Sequence, residues 1–127
     1  MSLRTSLGRA RGSGAAKDGS EHWWQQRVTA VALVPLSVWF LASVVSLSGA
    51  NLEQFRAWLA VPCNTALAIF FLLVVFHHGQ LGMQVVIEDY VHNRAVKLAG
   101  IIGVKLLAAW FAIFSVVAVL RAAFVGA

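Results

Sequence analysis

Hydrophobic positions fall into three long runs, and polar residues collect in the short stretches between them. The runs cover about 28–48, 61–87 and 96–124. A helix needs about 20 predominantly apolar residues to cross the core of a bilayer, and each run reaches that length. The pattern therefore predicts an all-α integral membrane protein with three transmembrane helices.

The second run has to continue through polar residues if it is to span the membrane. Its strongly apolar part ends at Phe76 and is too short to cross alone. Extension through His77, His78 and Gly79 to Ile87 gives about 25 residues, enough to cross with some tilt. Pro62 fits the first turn of this helix, where its missing N–H is not needed. We therefore predict one continuous helix across the two histidines.

Polar stretches define the tail and the connections. Residues 1–20 are rich in Gly, Ser, Ala and Arg without an apolar period, which predicts a flexible cytoplasmic tail before a membrane anchor domain at 21–127. Residues 48–56 and 89–97 are expected to be the two connections. Basic residues gather in the tail and in the second connection, which places the N-terminus in the cytoplasm and the C-terminus in the periplasm.

Composition supports the membrane class and excludes others. Hydrophobic residues make up 60% of the 127 residues and charged residues only 12%, about half the share usual in a soluble domain. The formal net charge of +5 comes from basic residues that lie mostly outside the apolar runs, where they set the orientation in the membrane. A protein with three membrane spans is not expected to bind nucleic acid, so that role is excluded. The single cysteine, Cys63, has no partner for an intrachain disulfide.

The most informative polar group in the second run is His78. Ionisable groups inside a membrane helix are costly, so they are candidates for function. At about 100° per residue, His78, Gly82 and Asp89 lie within roughly 40° of one another on the helix. Imidazole is a common axial ligand of haem iron, and glycine would let a flat macrocycle approach. The alternative is that His78 only hydrogen-bonds a neighbouring helix. His77, about 100° away, is the weaker candidate.

The second run closes on Asp89 and Tyr90. A tyrosine hydroxyl can donate a hydrogen bond to a quinone carbonyl, and a carboxyl beside it can transfer protons during reduction. The alternative is an aromatic anchor at the membrane surface with a solvated acid. In the third run, Lys105 is expected to extend towards the surface, to pair with a partner group or to contact a haem propionate.

The spacing of these residues resembles a known family. His78-x-x-x-Gly82-Met83 followed by Asp89-Tyr90 is similar to the hydrophobic D subunit of succinate dehydrogenase (respiratory complex II). Residues 22–30, with the sequence HWWQQRVTA, also resemble the start of the first helix in that family, especially in alphaproteobacteria. The resemblance covers about 19–94, and the third run agrees only in length and hydrophobicity.

The resemblance implies a membrane anchor subunit of succinate:ubiquinone oxidoreductase. His78 would be one axial ligand of a haem b shared with the C subunit, and His22 would lie near a haem propionate. Tyr90 with Asp89 would form part of a ubiquinone site that receives electrons from the iron–sulfur subunit. Succinate would be oxidised elsewhere in the complex, on the flavoprotein side, so the chain would be a non-autonomous subunit of the enzyme.

Two other interpretations stay open from the sequence. One is the anchor of a quinol:fumarate reductase, which shares the scaffold and differs in the direction of electron flow. The other is a purely structural membrane subunit without haem. The expected location is the inner membrane of a bacterium. The mitochondrial inner membrane is the alternative, because the basic and Ser-rich first residues are also typical of a transit peptide.

Overall fold

A computed structural model describes residues 5–7 and 15–125, with the side chains described from residue 19 onward in the second range. Between residues 15 and 125 the chain forms α1 (Ala15–Ser46), α2 (Leu52–Ala60), α3 (Pro62–Tyr90) and α4 (Arg94–Phe124). Three segments are long and apolar enough to cross a membrane: Gly19–Ser46 within α1, all of α3 and all of α4. The prediction of an all-helical protein with three spans is confirmed.

Helix α3 occupies the middle of the arrangement. It packs against α1 on one side and against α4 on the other, whereas between residues 15 and 125 no Cα atom of α1 lies within 8 Å of a Cα atom of α4. The short helix α2 packs against α3 and α4. The three spans therefore form a row and not a closed bundle, and a cleft is left between α1 and α4 over one face of α3.

Helix α3 is continuous across both histidines, as the span length predicts. It begins with Pro62 in its first turn and ends at Tyr90, after which Val91 adopts an extended conformation. Its 29 residues give a length of about 43 Å, more than the ~30 Å of a bilayer core. The next helix follows at once, because the Asn93 side chain accepts hydrogen bonds from two backbone N–H groups of the first turn of α4.

Helix α1 begins earlier than the sequence pattern indicates. The first span is predicted from about residue 28, but the helix already starts at Ala15 and so includes the last part of the predicted tail. Alanine and lysine are good helix formers, and a helix that already exists extends at the cost of ordering one residue per hydrogen bond. The rest of the predicted flexible tail, 1–4 and 8–14, lies outside the described residues.

The first predicted connection, 48–56, is wrong in its second half, because α2 begins at Leu52. The helix is started by a reciprocal pair of hydrogen bonds. The Gln54 backbone N–H donates to Asn51 Oδ1 at 2.8 Å, and the Asn51 N–H donates to Gln54 Oε1 at 3.0 Å. Just before it, Gly49 takes a positive φ of 80°, which suits a residue without a Cβ in the turn out of α1.

Aromatic and polar contacts fix α2 against the spans. Trp58 stacks on Trp39 of α1 with ring centroids 6.0 Å apart, and Leu59 is buried. The Thr65 hydroxyl of α3 donates to the Leu59 carbonyl, which satisfies a backbone group at the C-terminal end of α2. The end of the protein opposite Tyr90 is therefore closed by a short packed helix.

Very little of the chain is buried within itself. Among the described residues, the buried hydrophobic side chains are Leu36, Leu59, Leu81 and Ala123. Large apolar side chains such as Val31 and Ile113 are exposed along the outer faces of α1 and α4. Apolar surface of this kind is stable against lipid and needs no protein partner. Polar side chains that face away from the other helices do need a partner in the membrane, and their positions identify the candidate site.

Candidate functional site

His78 faces α1 from the middle of α3. Its Nδ1 lies 2.9 Å from the Thr29 hydroxyl oxygen, which itself lies 2.7 Å from the backbone carbonyl oxygen of Gln25. One turn further along α3, a Cβ on Gly82 would meet the side chain of Gln26 at 3.8 Å. The stripe predicted from His78 to Gly82 therefore lies against the first turns of the membrane-spanning part of α1.

Only one ring nitrogen of His78 is occupied. Its Nε2 has no hydrogen-bond partner within 15–125, although the ring is half-buried. The alternative that His78 serves helix packing alone accounts for Nδ1 and leaves Nε2 unexplained. An imidazole with one nitrogen held by a neighbour and the other free has the arrangement usual in a metal ligand.

Two buried polar atoms of α1 lie on the same helix face as Thr29. His22 Nε2 and Gln26 Oε1 are shielded from solvent and have no hydrogen-bond partner in the described part of the chain. Residues 22, 26 and 29 have offsets of four and seven, so they share one side of a helix. Buried polar atoms in proteins are normally bonded, so these two lack a partner that the described side chains do not supply.

His77 faces the cleft between α1 and α4. Its Nε2 lies 3.2 Å from the Gln25 side-chain oxygen, and the Gln25 amide in turn donates to Glu21 at 3.4 Å. The cleft has a volume of about 480 Å³, and most of its lining residues are polar: Glu21, His22, Gln25, His77, Gln80, Leu81, Gln84 and Lys105. Lys105 comes from α4, so all three spans contribute. His77, the weaker ligand candidate in the sequence, thus contacts α1.

A line of hydrogen bonds runs along α3 from the cleft towards its C-terminal end. The Gln80 amide donates to Gln84 Oε1 at 3.2 Å, and the Gln84 amide donates to Glu88 Oε1 at 2.9 Å. Residues 77, 80, 84 and 88 recur at helical spacing, so this stripe could have been identified in the sequence beside the one through His78. The polar side of α3 therefore reaches from mid-span to the Tyr90 end.

Asp89 and Tyr90 are fully available at the end of α3. Tyr90 is 77% exposed, and neither side chain has a hydrogen-bond partner among the described residues. Tyr90 lies twelve residues from His78, a separation of about 18 Å along the helix axis. Because Tyr90 is so exposed, a quinone could be enclosed here only with the help of another subunit.

The site residues fit a haem in three respects. His78 offers a free Nε2, His22 offers a buried nitrogen without a partner, and nothing lies within 4 Å of the position that a Cβ on Gly79 would take. In the described residues no group of three or more His, Cys, Asp and Glu side chains could enclose a metal ion. His78 alone would give the iron of a haem one protein ligand, and a second would need to come from another protein.

The fold and the site together define a class. The chain is a small membrane protein of three spans in a row, with lipid-compatible outer faces and a polar side on α1 and α3. Such a chain is typical of the membrane subunit of a larger assembly.

Comparison with known proteins agrees and is more specific. The family model described as succinate dehydrogenase/fumarate reductase transmembrane subunit matches residues 1–121. A Rickettsia bellii succinate dehydrogenase hydrophobic membrane anchor subunit is 36% identical over 122 residues, 96% of this chain and 94% of the relative. The one from Paracoccus denitrificans is 33% identical over 95 residues, covering 75% and 74%. No solved structure matches. The chain belongs to this family, with the hydrophobic membrane anchor subunits of succinate dehydrogenase.

Proposed function

We propose that this anchor subunit supplies one axial ligand of a haem b and part of the site where ubiquinone is reduced. The observation that carries the proposal is His78, whose Nδ1 is held by Thr29 while Nε2 has no partner among the described residues, in the middle of a helix long and apolar enough to span a membrane. The relatives of this chain are membrane anchor subunits of succinate dehydrogenase. Membership of such an enzyme supports a role in electron transfer, for which a haem and a quinone would be needed.

The residues of this chain divide the haem contacts between two helices. His78 Nε2 on α3 would bind the iron, and His22 Nε2 on α1, which has no partner in the described part of the chain, would hold a propionate after its ring turns out of its buried position. The C subunit would provide the second axial ligand. When bound, a b-type haem supplies reversible one-electron transfer.

Quinone reduction would use the exposed end of α3. The Tyr90 hydroxyl would donate a hydrogen bond to one carbonyl oxygen of ubiquinone and orient the ring, and the Asp89 carboxyl would pass protons to the reduced oxygen. Ubiquinone takes up two electrons, delivered from the iron–sulfur subunit, and two protons to give ubiquinol. Because Tyr90 is exposed in this chain, the C and iron–sulfur subunits would enclose the substrate.

The polar cleft supports the C subunit as the neighbour on that side. Lys105, His77 and Gln80 are costly against hydrocarbon, and ionisable residues inside membranes face protein or water in nearly all cases. The C subunit would cover this side, while the flavoprotein and iron–sulfur subunits would dock at the Tyr90 end. Lys105 has no acidic partner within hydrogen-bonding distance in the described chain. An anionic group from another subunit or from a haem propionate would therefore form an ion pair with its ammonium group.

Purification of the complex through a tag on this chain tests the proposal as a whole. We expect three further subunits to co-purify, a b-type haem signal in the reduced-minus-oxidised spectrum, and succinate-dependent reduction of ubiquinone. A complex of all four subunits without haem would overturn the ligand role and favour the purely structural interpretation. The family description includes fumarate reductases, but the relatives named above are all succinate dehydrogenase subunits, which favours succinate oxidation.

The orientation in the membrane follows from the distribution of basic residues. Arg94 and Lys97 flank the Tyr90 end of α3, so we propose that this end faces the cytoplasm and that the α2 end faces the periplasm of a bacterial inner membrane. The only cysteine allows a clean test. In a Cys63→Ser background, a membrane-impermeant thiol reagent should label Ser48→Cys in intact cells and His92→Cys only after permeabilisation. The reverse pattern would invert the topology.

A further inference from the structure

The position of the Thr29 hydroxyl proton is fixed by a short contact. Thr29 Oγ1 lies 2.7 Å from the Gln25 carbonyl oxygen and 3.1 Å from that of Gln26. Two oxygen atoms come as close as 2.7 Å when a proton lies between them, and a carbonyl oxygen cannot supply that proton. The threonine therefore donates its only hydroxyl proton to the backbone of α1.

The proton in the contact to His78 must then come from the histidine. Thr29 Oγ1 already donates its proton to the backbone, so it can only accept a further hydrogen bond through its lone pairs. His78 Nδ1 lies 2.9 Å away. A hydrogen bond at this distance requires that Nδ1 carries a proton, which in a neutral imidazole leaves Nε2 with the lone pair. We propose that Thr29 is a positioning residue that holds His78 in the Nδ1–H tautomer with Nε2 ready to bind iron.

This inference rests on the proposed haem ligand role and explains how α1 would take part in it. The nitrogen that binds the metal is set by the hydrogen bond that the other nitrogen makes. A hydrogen bond donated from Nδ1 also makes the ligand more basic and so favours ferric over ferrous iron. Threonine suits the task, because its hydroxyl is tied to its own helix and cannot rotate freely to reverse the bond.

The test compares Thr29→Val with Thr29→Ser in the tagged complex. Valine has nearly the shape of threonine without the hydroxyl, and serine keeps the hydroxyl without the methyl group. We expect Thr29→Val to raise the midpoint potential of the haem, to alter the electron paramagnetic resonance signal of the ferric haem, and to weaken haem retention by about 10–100-fold. Thr29→Ser should stay close to the wild type in all three.

The outcomes separate this inference from the proposal beneath it. A Thr29→Val complex with haem, unchanged potential and unchanged resonance signal would overturn the tautomer assignment and leave His78 as a ligand. The same holds if Thr29→Val only reduces the amount of assembled complex, or if Thr29→Ser behaves like Thr29→Val, since packing would then explain both. A wild-type complex without haem would overturn the ligand role and the inference together.

Discussion

Replacing His78 with alanine is expected to abolish the b-type haem signal of the purified complex. In the proposed assignment His78 Nε2 is the nitrogen that binds the iron, and alanine offers no ligand in its place. Removing a hydrogen-bond partner of a metal ligand typically costs about 10–100-fold in affinity, and removing the ligand itself should cost more. The measurement is the reduced-minus-oxidised spectrum, normalised to the amount of assembled complex.

The neighbouring histidine is the matched control for this experiment. His77 has the same side chain one position earlier, but its Nε2 contacts Gln25 in the cleft. His77→Ala should therefore retain the haem spectrum, and any change should be limited to a small shift. Loss of haem in His77→Ala together with retention in His78→Ala would transfer the ligand role to His77 and contradict the assignment made above.

Tyr90→Phe is expected to lower the ubiquinone reductase turnover number by about 100-fold, the lower end of what is lost when one positioned hydrogen-bond donor to a developing negative oxygen is removed. The substitution removes only the hydroxyl. The Tyr90 hydroxyl has no hydrogen-bond partner among the described residues, and phenylalanine keeps the ring, so assembly should be unchanged. Electron transfer from succinate to a soluble artificial acceptor that bypasses the membrane site should remain at the wild-type rate.

An aromatic residue on the outer face of α4 provides the control. Trp110 is 64% exposed in a span with apolar neighbours, so Trp110→Phe changes the same kind of surface far from Tyr90. It should leave both activities unchanged. Ubiquinone reduction at the wild-type rate in Tyr90→Phe would show that Tyr90 is only an aromatic anchor at the membrane surface, the alternative that the sequence left open.

The spans were predictable because the bilayer imposes their length. The extension of α3 through two histidines followed from the need for about 20 residues, whatever the local polarity. The short helix α2 was missed, although Asn51 and Gln54 have the spacing of a capping box and could have indicated it. The early start of α1 was missed because the residues before Gly19 carry no apolar period. The helix extends into them from the span that follows, since propagation of an existing helix costs little.

The candidate site was predictable in part, for a geometric reason. Helical periodicity placed His78 and Gly82 on one stripe, but it does not determine which neighbouring helix that stripe faces. The contact between His78 and Thr29 depends on the rotation of α1 about its own axis, which only the packed structure gives. The completed haem and quinone sites could not be predicted, because groups of other subunits would enclose them.

The continuity of α3 restricts how the gene can change. His78 and Tyr90 belong to one unbroken helix, so no loop can adjust the spacing between them. One residue inserted between positions 79 and 88 would move Tyr90 by about 1.5 Å along the axis and rotate it by about 100° relative to His78. Compensation would need a deletion among the eleven residues that separate His78 from Tyr90. Length variation should therefore be tolerated in the tail and around Gly49, and excluded from this part of α3.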